Sequence, residues 1–274
     1  MPTQRICVAG TASSPLLNPL AIKYQPFLNT IYDKTIVVVP FKSDKSLVKT
    51  LKRLGVDVIL QKREGLGYAR KEAIEQALEG RFDYIHFCDY DRILHWAKTY
   101  PEELRHIIEQ APKFDFIIFG RTLRAFLSHP PVQVLFETLT NLAYFIVAHD
   151  LIDITAMSRA MSHEVARFLV RNMRSQVFSC ATDSELPILV KRLVNYLQSE
   201  QRRMLKIGYV TVEGLEYEDA DRYLSDIAKF SISLMGWKIR MSYSPRVWKN
   251  RAKHFFQISS AAIQTKKRTA LEAN

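Results

Sequence analysis

Cysteine is scarce in this chain: Cys7, Cys88 and Cys180 are the only three in 274 residues. Their number is odd and their spacing is not that of a metal site, so they read as buried free thiols in a reducing cytoplasm. Long apolar runs are missing too. The longest candidate, "NLAYFIVA" (141–148), falls far short of the roughly 20 residues a membrane span needs. The opening "MPTQRICVAG" enters a strand-like run directly and lacks a signal peptide's apolar region and cleavage site. Neither an internal repeat nor a low-complexity linker is present.

Carboxylates are absent from a whole segment. Between positions 227 and 271 there are ten Lys and Arg residues and no Asp or Glu. Glu272 subtracts one, so of the net charge of +11 only +2 belongs to the first 226 residues. The expected organisation is a near-neutral body over 1–226 and a basic, aromatic-containing, helical extension over 227–274. Such a segment speaks to partners and not to fold.

Strand-like and helical stretches alternate through the body. "RICVAG" (5–10), "KTIVVVPF" (34–41), "VDVILQ" (56–61), "FDYIHFCD" (82–89) and "FDFIIFG" (114–120) are near-continuous apolar runs, suited to strands covered on both faces. Between them, 17–31, 44–54, 67–80 and 101–111 have helical composition. Repeated strand–helix–strand units predict an α/β fold with a mostly parallel sheet and right-handed crossovers. Further on, 132–149, 158–173, 183–200 and 218–235 read as helices and 204–214 as a strand. Pro245 is expected to interrupt a helix or to sit in its first turn.

Against this background "DYIHFCDYDRIL" (83–94) is unusual, because an apolar strand ends by delivering Asp89 and Asp91 one residue apart. Two such carboxylates repel unless something positive lies between them. Ligands of open α/β sheets bind beyond the carboxyl ends of strands, and Mg²⁺ or Mn²⁺ is commonly held there by one or two carboxylates with substrate phosphates. The competing reading is a solvated turn in which Asp91 caps the next helix. Upstream, "QKREGLGYARKEAIEQALEG" (61–80) sets a cationic loop before a helix start. Gly65 and Gly67 permit close backbone approach to an anion, and Lys62, Arg63 and Arg70 supply phosphate partners. A turn whose glycines serve only its geometry has the same spelling.

Taken together, "EGLGYARKEAIEQALEGRFDYIHFCDYDR" resembles the signature region of the GT-A glycosyltransferases, especially the family 2-like group. The resemblance extends more weakly over 1–225, through "FDFIIFGRT" (114–122), "DITAMSRAMSHEVARFL" (153–169), "ATDSELPILV" (181–190) and "GYVTVEGLEYEDADRY" (208–223). It implies a Rossmann-like GT-A domain, a nucleotide-sugar donor, and Mg²⁺ or Mn²⁺. It also implies transfer of a sugar, of hexosyl type, to a hydroxyl acceptor that is a small molecule or lipid-linked. Asp89 would lie near the ribose and metal and Asp91 would be the direct metal ligand. The base would sit near Ala9–Thr11, with Thr11, Arg63, Gly65, Gly67 and Arg70 around the donor. Asp183 or Glu185 matches the catalytic base of inverting members, while a retaining member needs none. A late histidine ligand, where the family uses one, has His254 and His163 as candidates.

The chain also departs from the family. "AGTASSPLLNP" and "VVVPFKSD" replace the usual loops after the first two strands, which bears on recognition of the base and ribose. A haloacid-dehalogenase-like phosphatase, with Asp89 as nucleophile and Asp91 as acid/base, is the rival enzyme. The non-enzymatic rival binds nucleotide sugar or membrane without turnover. The basic segment, with Trp237, Trp248, Phe255 and Phe256 among its cations, suits donor phosphates or an anionic membrane surface, or a helix packed on the body by its aromatics. No nucleic-acid motif is present, and nucleic acid is not an expected partner. The expected location is the cytoplasm, with peripheral attachment to the inner face of the membrane.

Overall fold

The computed structural model describes residues 4–174, 180–218 and 233–271. Seven strands form one sheet: β1 (Ile6–Thr11), β2 (Lys34–Val39), β3 (Asp57–Leu60), β4 (Tyr84–Cys88), β5 (Phe116–Arg121), β6 (Ser158–Ser162) and β7 (Ile207–Val212). Their order is β3-β2-β1-β4-β6-β5-β7. Every neighbouring pair is parallel except those of β6, which runs antiparallel to both β4 and β5. The α/β, mostly parallel sheet expected from the alternating pattern is therefore present.

Both faces are covered, as the continuous apolar strands require. Along β1, Val8 enters one core while Cys7 and Ala9 enter the other, the two-residue period of an extended chain. The first face is closed by α1 (Asn18–Ile31), α2 (Lys45–Arg53), α4 (Tyr90–Thr99) and α5 (Pro101–Gln110). The second is closed by α3 (Leu66–Glu79), α8 (His163–Asn172) and α9 (Thr182–Ser199). All three cysteines are buried free thiols.

Three expectations change. Residues 158–173 are not one helix: Ser158–Ser162 fills the slot between β4 and β5, where their facing edges need hydrogen-bond partners, and α8 starts only at His163. The Ser162 hydroxyl caps α8 by accepting from Val165 N. Helix α4, expected only in the competing reading and then only beyond Asp91, starts at Tyr90 and takes Asp91 into its first turn. The apolar run at 141–148 is the end of an 18-residue helix, α7 (Pro131–Ala148), which by length and composition alone is apolar enough to cross a membrane. Between β5 and α7 lies the short α6 (Leu123–Leu127). The helix expected over 218–235 lies mostly outside the described residues.

The basic segment folds as two helices, α10 (Leu234–Ser242) and α11 (Pro245–Leu271), with Pro245 in the first turn of α11. Helix α11 packs on α7 and α9, around Tyr144, Ile154, Ile188 and Ile258. Ser184 Oγ of α9 donates to the Ile258 carbonyl (2.7 Å), fastening the two helices.

Candidate active site

The carboxyl ends of β1 and β4 lie side by side, and the chemistry gathers there. Gly10 makes the approach possible, because a Cβ at that position would stand 1.9 Å from the Cys88 carbonyl oxygen. One residue later Thr11 Oγ1 donates to Asp89 Oδ1 at 2.8 Å. Asp89 Oδ2 accepts from Arg70 Nη2 at 2.9 Å. The other nitrogen of the same guanidinium, Nη1, donates to Asp183 Oδ1 at 3.1 Å. Arg70, on the second turn of α3 and 4% exposed, thus joins the strand-end carboxylate to a carboxylate in the first turn of α9.

Two cavities meet at this point. One, about 750 Å³, runs over the ends of β1 and β2 and under the 61–66 loop, with Thr11, Lys42, Lys62 and Gly65 in its wall. The other, about 210 Å³, is walled by Arg70, Arg92, Asp183, Arg251 and His254. Leu66, Asp89 and Asp91 line both. The loop between the cavities is braced by Gln61, whose Nε2 donates to the Gly65 carbonyl (2.7 Å), and by Glu72, which accepts from Lys62 N (3.1 Å). Gly65 has φ 120°, open to glycine and strained for other residues.

Asp89 and Asp183 are shifted in opposite directions. Burial pushes the Asp89 carboxyl up, but the ion pair and hydrogen bond from Arg70, with Arg92 and Thr11, hold it below the usual range. Burial dominates at Asp183 and pushes it up to about 6, against the pull of Arg70 and Arg159. Arg159, on β6 and wholly buried, donates from Nη2 to the Asp183 carbonyl (2.6 Å) and to the Ile154 carbonyl (3.0 Å). It sets the start of α9 and so the height of Asp183. Burial, with Arg251 nearby, lowers His254 to about 4, leaving its imidazole neutral at pH 7.

The wall of the smaller cavity continues into an ion network that sequence reasoning missed. Arg121, at the carboxyl end of β5, forms a fork with Asp153 (2.7 and 2.9 Å) and reaches Glu137 Oε2 at 2.6 Å. Glu137 Oε1 faces Arg251 Nη1 at 3.5 Å. Arg92 Nε pairs with Glu218 at 3.2 Å. The only sequence signal for Arg121 was its place at a strand end, in the "FGRT" segment.

Of the residues singled out from the sequence, Thr11, Gly65, Arg70, Asp89, Asp91, Asp183 and His254 come together around the two cavities. Arg63 does not. It is exposed, sits 5.8 Å from the Tyr68 ring centre and lines a separate surface hollow with Lys71 and Glu75, while Lys42 and Lys62 line the cleft. Gly67 is buried inside α3. Glu185, two residues from Asp183 and so on another side of α9, accepts from Arg174 N (2.8 Å) and Arg268 Nη2 (3.1 Å), away from either cavity. His163 belongs to the opposite end of the sheet, where its Nδ1 lies 3.1 Å from the Phe82 carbonyl.

No family profile matches the chain, and no curated protein matches it. Solved structures do. Glucosyl-3-phosphoglycerate synthase from Mycobacterium tuberculosis, in complex with Mn²⁺, UDP-glucose and phosphoglyceric acid, is similar over 76% of this chain and 69% of that one, at 14% identity and a TM-score of 0.45. A further structure of that synthase aligns over 83% and 80%, at 14% identity and 0.44. Its complex with Mg²⁺ and UDP aligns over 76% and 70%, at 12% and 0.43. A likeness this distant assigns neither a residue role nor an activity to this chain.

Proposed function

We propose that this protein is a divalent-metal-dependent glycosyltransferase of GT-A type, moving a sugar from a nucleotide-sugar donor to a hydroxyl acceptor. The observation that carries the reading is the Arg70 bridge, which ties the Asp89/Asp91 strand end to Asp183 across the junction of two cavities. The larger cavity suits the donor, since pockets for such ligands span roughly 300–1,000 Å³. The smaller suits the acceptor.

The residues present fit a hard divalent cation. Asp91 offers carboxylate oxygen where the cavities meet, and neutral His254 lines the same wall. An ion of this kind fills its remaining positions with diphosphate and water. When bound, Mg²⁺ or Mn²⁺ offsets the charge that develops on the departing diphosphate. Lys42 and Lys62 border the donor cavity and add positive charge there. Arg70 and Thr11 orient Asp89 toward the donor.

Asp183 acts as general base. It takes the proton of the acceptor hydroxyl as that oxygen bonds to the anomeric carbon and the bond to the diphosphate breaks. A single displacement of this kind inverts the anomeric configuration. The phosphatase reading requires Asp89 as nucleophile, yet the Arg70 ion pair that holds its carboxyl below the usual range makes it a weaker one.

Calorimetric titration with nucleoside diphosphates and nucleotide sugars, with and without Mn²⁺, tests the proposal. Binding of one nucleotide series should require metal and weaken at least about tenfold in Asp91→Ala. Failure of every nucleotide to bind under any condition overturns it.

A further inference from the structure

Helix α7 carries apolar side chains on its outer face, where a helix meeting water carries polar ones. Its inward face mixes Gln133, Glu137 and Thr140 with Val132, Tyr144 and Ala148, all buried. Glu137 and Gln133 are committed to Arg121 and Arg251. Its outward face carries Leu135, Leu139, Leu142 and Ile146, spaced four, three and four residues apart, one continuous stripe. Leu142 is 50% exposed and Ile146 65%. The neighbours extend the apolar surface: α6 and α10 both pack on α7, and Leu127, Met235 and Ile239 on them are exposed. Contiguous apolar surface of this kind on a folded protein marks a docking site.

Charge identifies what docks. The only carboxylate of α7 is Glu137, which is turned inward, and no Asp or Glu occurs between 227 and 271. Helix α11 lies against α7, with Trp248 packed on Phe136 at 5.5 Å between ring centres. From that corner Arg246, Lys249 and Lys253 are exposed beside the half-exposed Trp248. A leucine stripe bordered by cations and an aromatic ring is the pattern of an interfacial helix on an anionic lipid surface. A second copy of this chain would set cations against cations. Spanning is excluded by the inward face, because leaving the fold would carry Glu137 and Gln133 into hydrocarbon with Arg121 and Arg251 left behind.

We propose that the outward face of α7, extended by α6 and α10 and bordered by the cations of α11, docks the protein onto an anionic lipid bilayer, with α7 lying in the interface. The proposal does not depend on the transfer reaction.

Co-sedimentation with phosphatidylcholine vesicles, with and without phosphatidylglycerol, tests it. The full chain should sediment with the phosphatidylglycerol-containing vesicles and much less with phosphatidylcholine alone, and salt should weaken binding. The pair Leu139→Asp and Ile146→Asp should cut the bound fraction at least about tenfold. The pair Arg246→Glu and Lys249→Glu should cut it to a similar degree, by removing the electrostatic part. All four positions are exposed, so both double variants should keep the wild-type thermal midpoint and nucleotide binding. The proposal is overturned if wild type stays in the supernatant with phosphatidylglycerol present, or if the apolar pair sediments as wild type does. It is equally overturned if the stripe proves to bury a second copy, read as a halving of molecular mass by light scattering in the apolar pair.

Discussion

At the scale of single residues, Arg70 and Asp183 carry the most consequence. Arg70 touches both carboxylates, and its buried position leaves those hydrogen bonds little competition from water. Asp183, pushed up to about 6 by burial, must lose its proton to serve as base. Activity should therefore fall about tenfold per pH unit below about 6 and level off above it. In Asp183→Asn, kcat/KM should drop about 10²–10⁴-fold and the acid limb should vanish. A limb that persists in the variant would assign the base elsewhere. The same raised value acts on stability with opposite sense. The folded state prefers Asp183 protonated, so its contribution is fully present below about pH 4 and is lost as pH rises to about 6, on the order of 3 kcal/mol in all. Most of these residues were legible in the sequence, because Asp89, Asp91 and Arg70 stand close along the chain in a recognisable order. Arg63 was misplaced for a physical reason. A loop residue two positions from Gly65 can face either side of its turn, and only packing on Tyr68 decides which.

At the scale of elements, the meeting of β1 and β4 sets the site. The 1.9 Å separation that a Cβ on Gly10 would have from the Cys88 carbonyl forces the strands apart in Gly10→Ala. The variant should lose about 1–3 kcal/mol in urea unfolding, and its metal-dependent nucleotide binding should weaken as the Thr11–Asp89 hydrogen bond stretches. Unchanged stability would show that the strand ends yield at no cost. The parallel strands were evident from their apolar runs. Strand β6 was not, because "SRAMS" is short, carries Arg159 and continues into a true helix. What makes it extended is the vacant pairing edge on either side of it, a demand set by β4 and β5, far away in sequence.

At the scale of the whole molecule, the cations of the basic segment divide by role. Lys238, Arg251 and Arg268 turn inward, to Ser128, to Glu137 and Gln133, and to Glu185 respectively. Arg246, Lys249, Lys253, Lys266 and Lys267 remain exposed. Arg268→Glu should set two carboxylates together against α9 and cost about 3–5 kcal/mol in urea unfolding, since Glu185 is wholly buried. Exposed Lys267→Glu should stay within about 0.5 kcal/mol. Equal effects of the two would mean that α11 does not hold α9 through this pair. The sequence by itself determined the α/β layering, the crossovers and the Asp89–Asp91 strand end, because apolar periodicity and short-range spacing are written locally along the chain. Only the tertiary structure decided that Asp183 and not Glu185 faces the cavities, and that α7 turns leucine outward and glutamate inward. It alone decided too that Arg121, Asp153 and Glu137 form one network. Those outcomes depend on which side of a helix meets which distant partner, and on the burial that follows, and neither is fixed by neighbours in sequence.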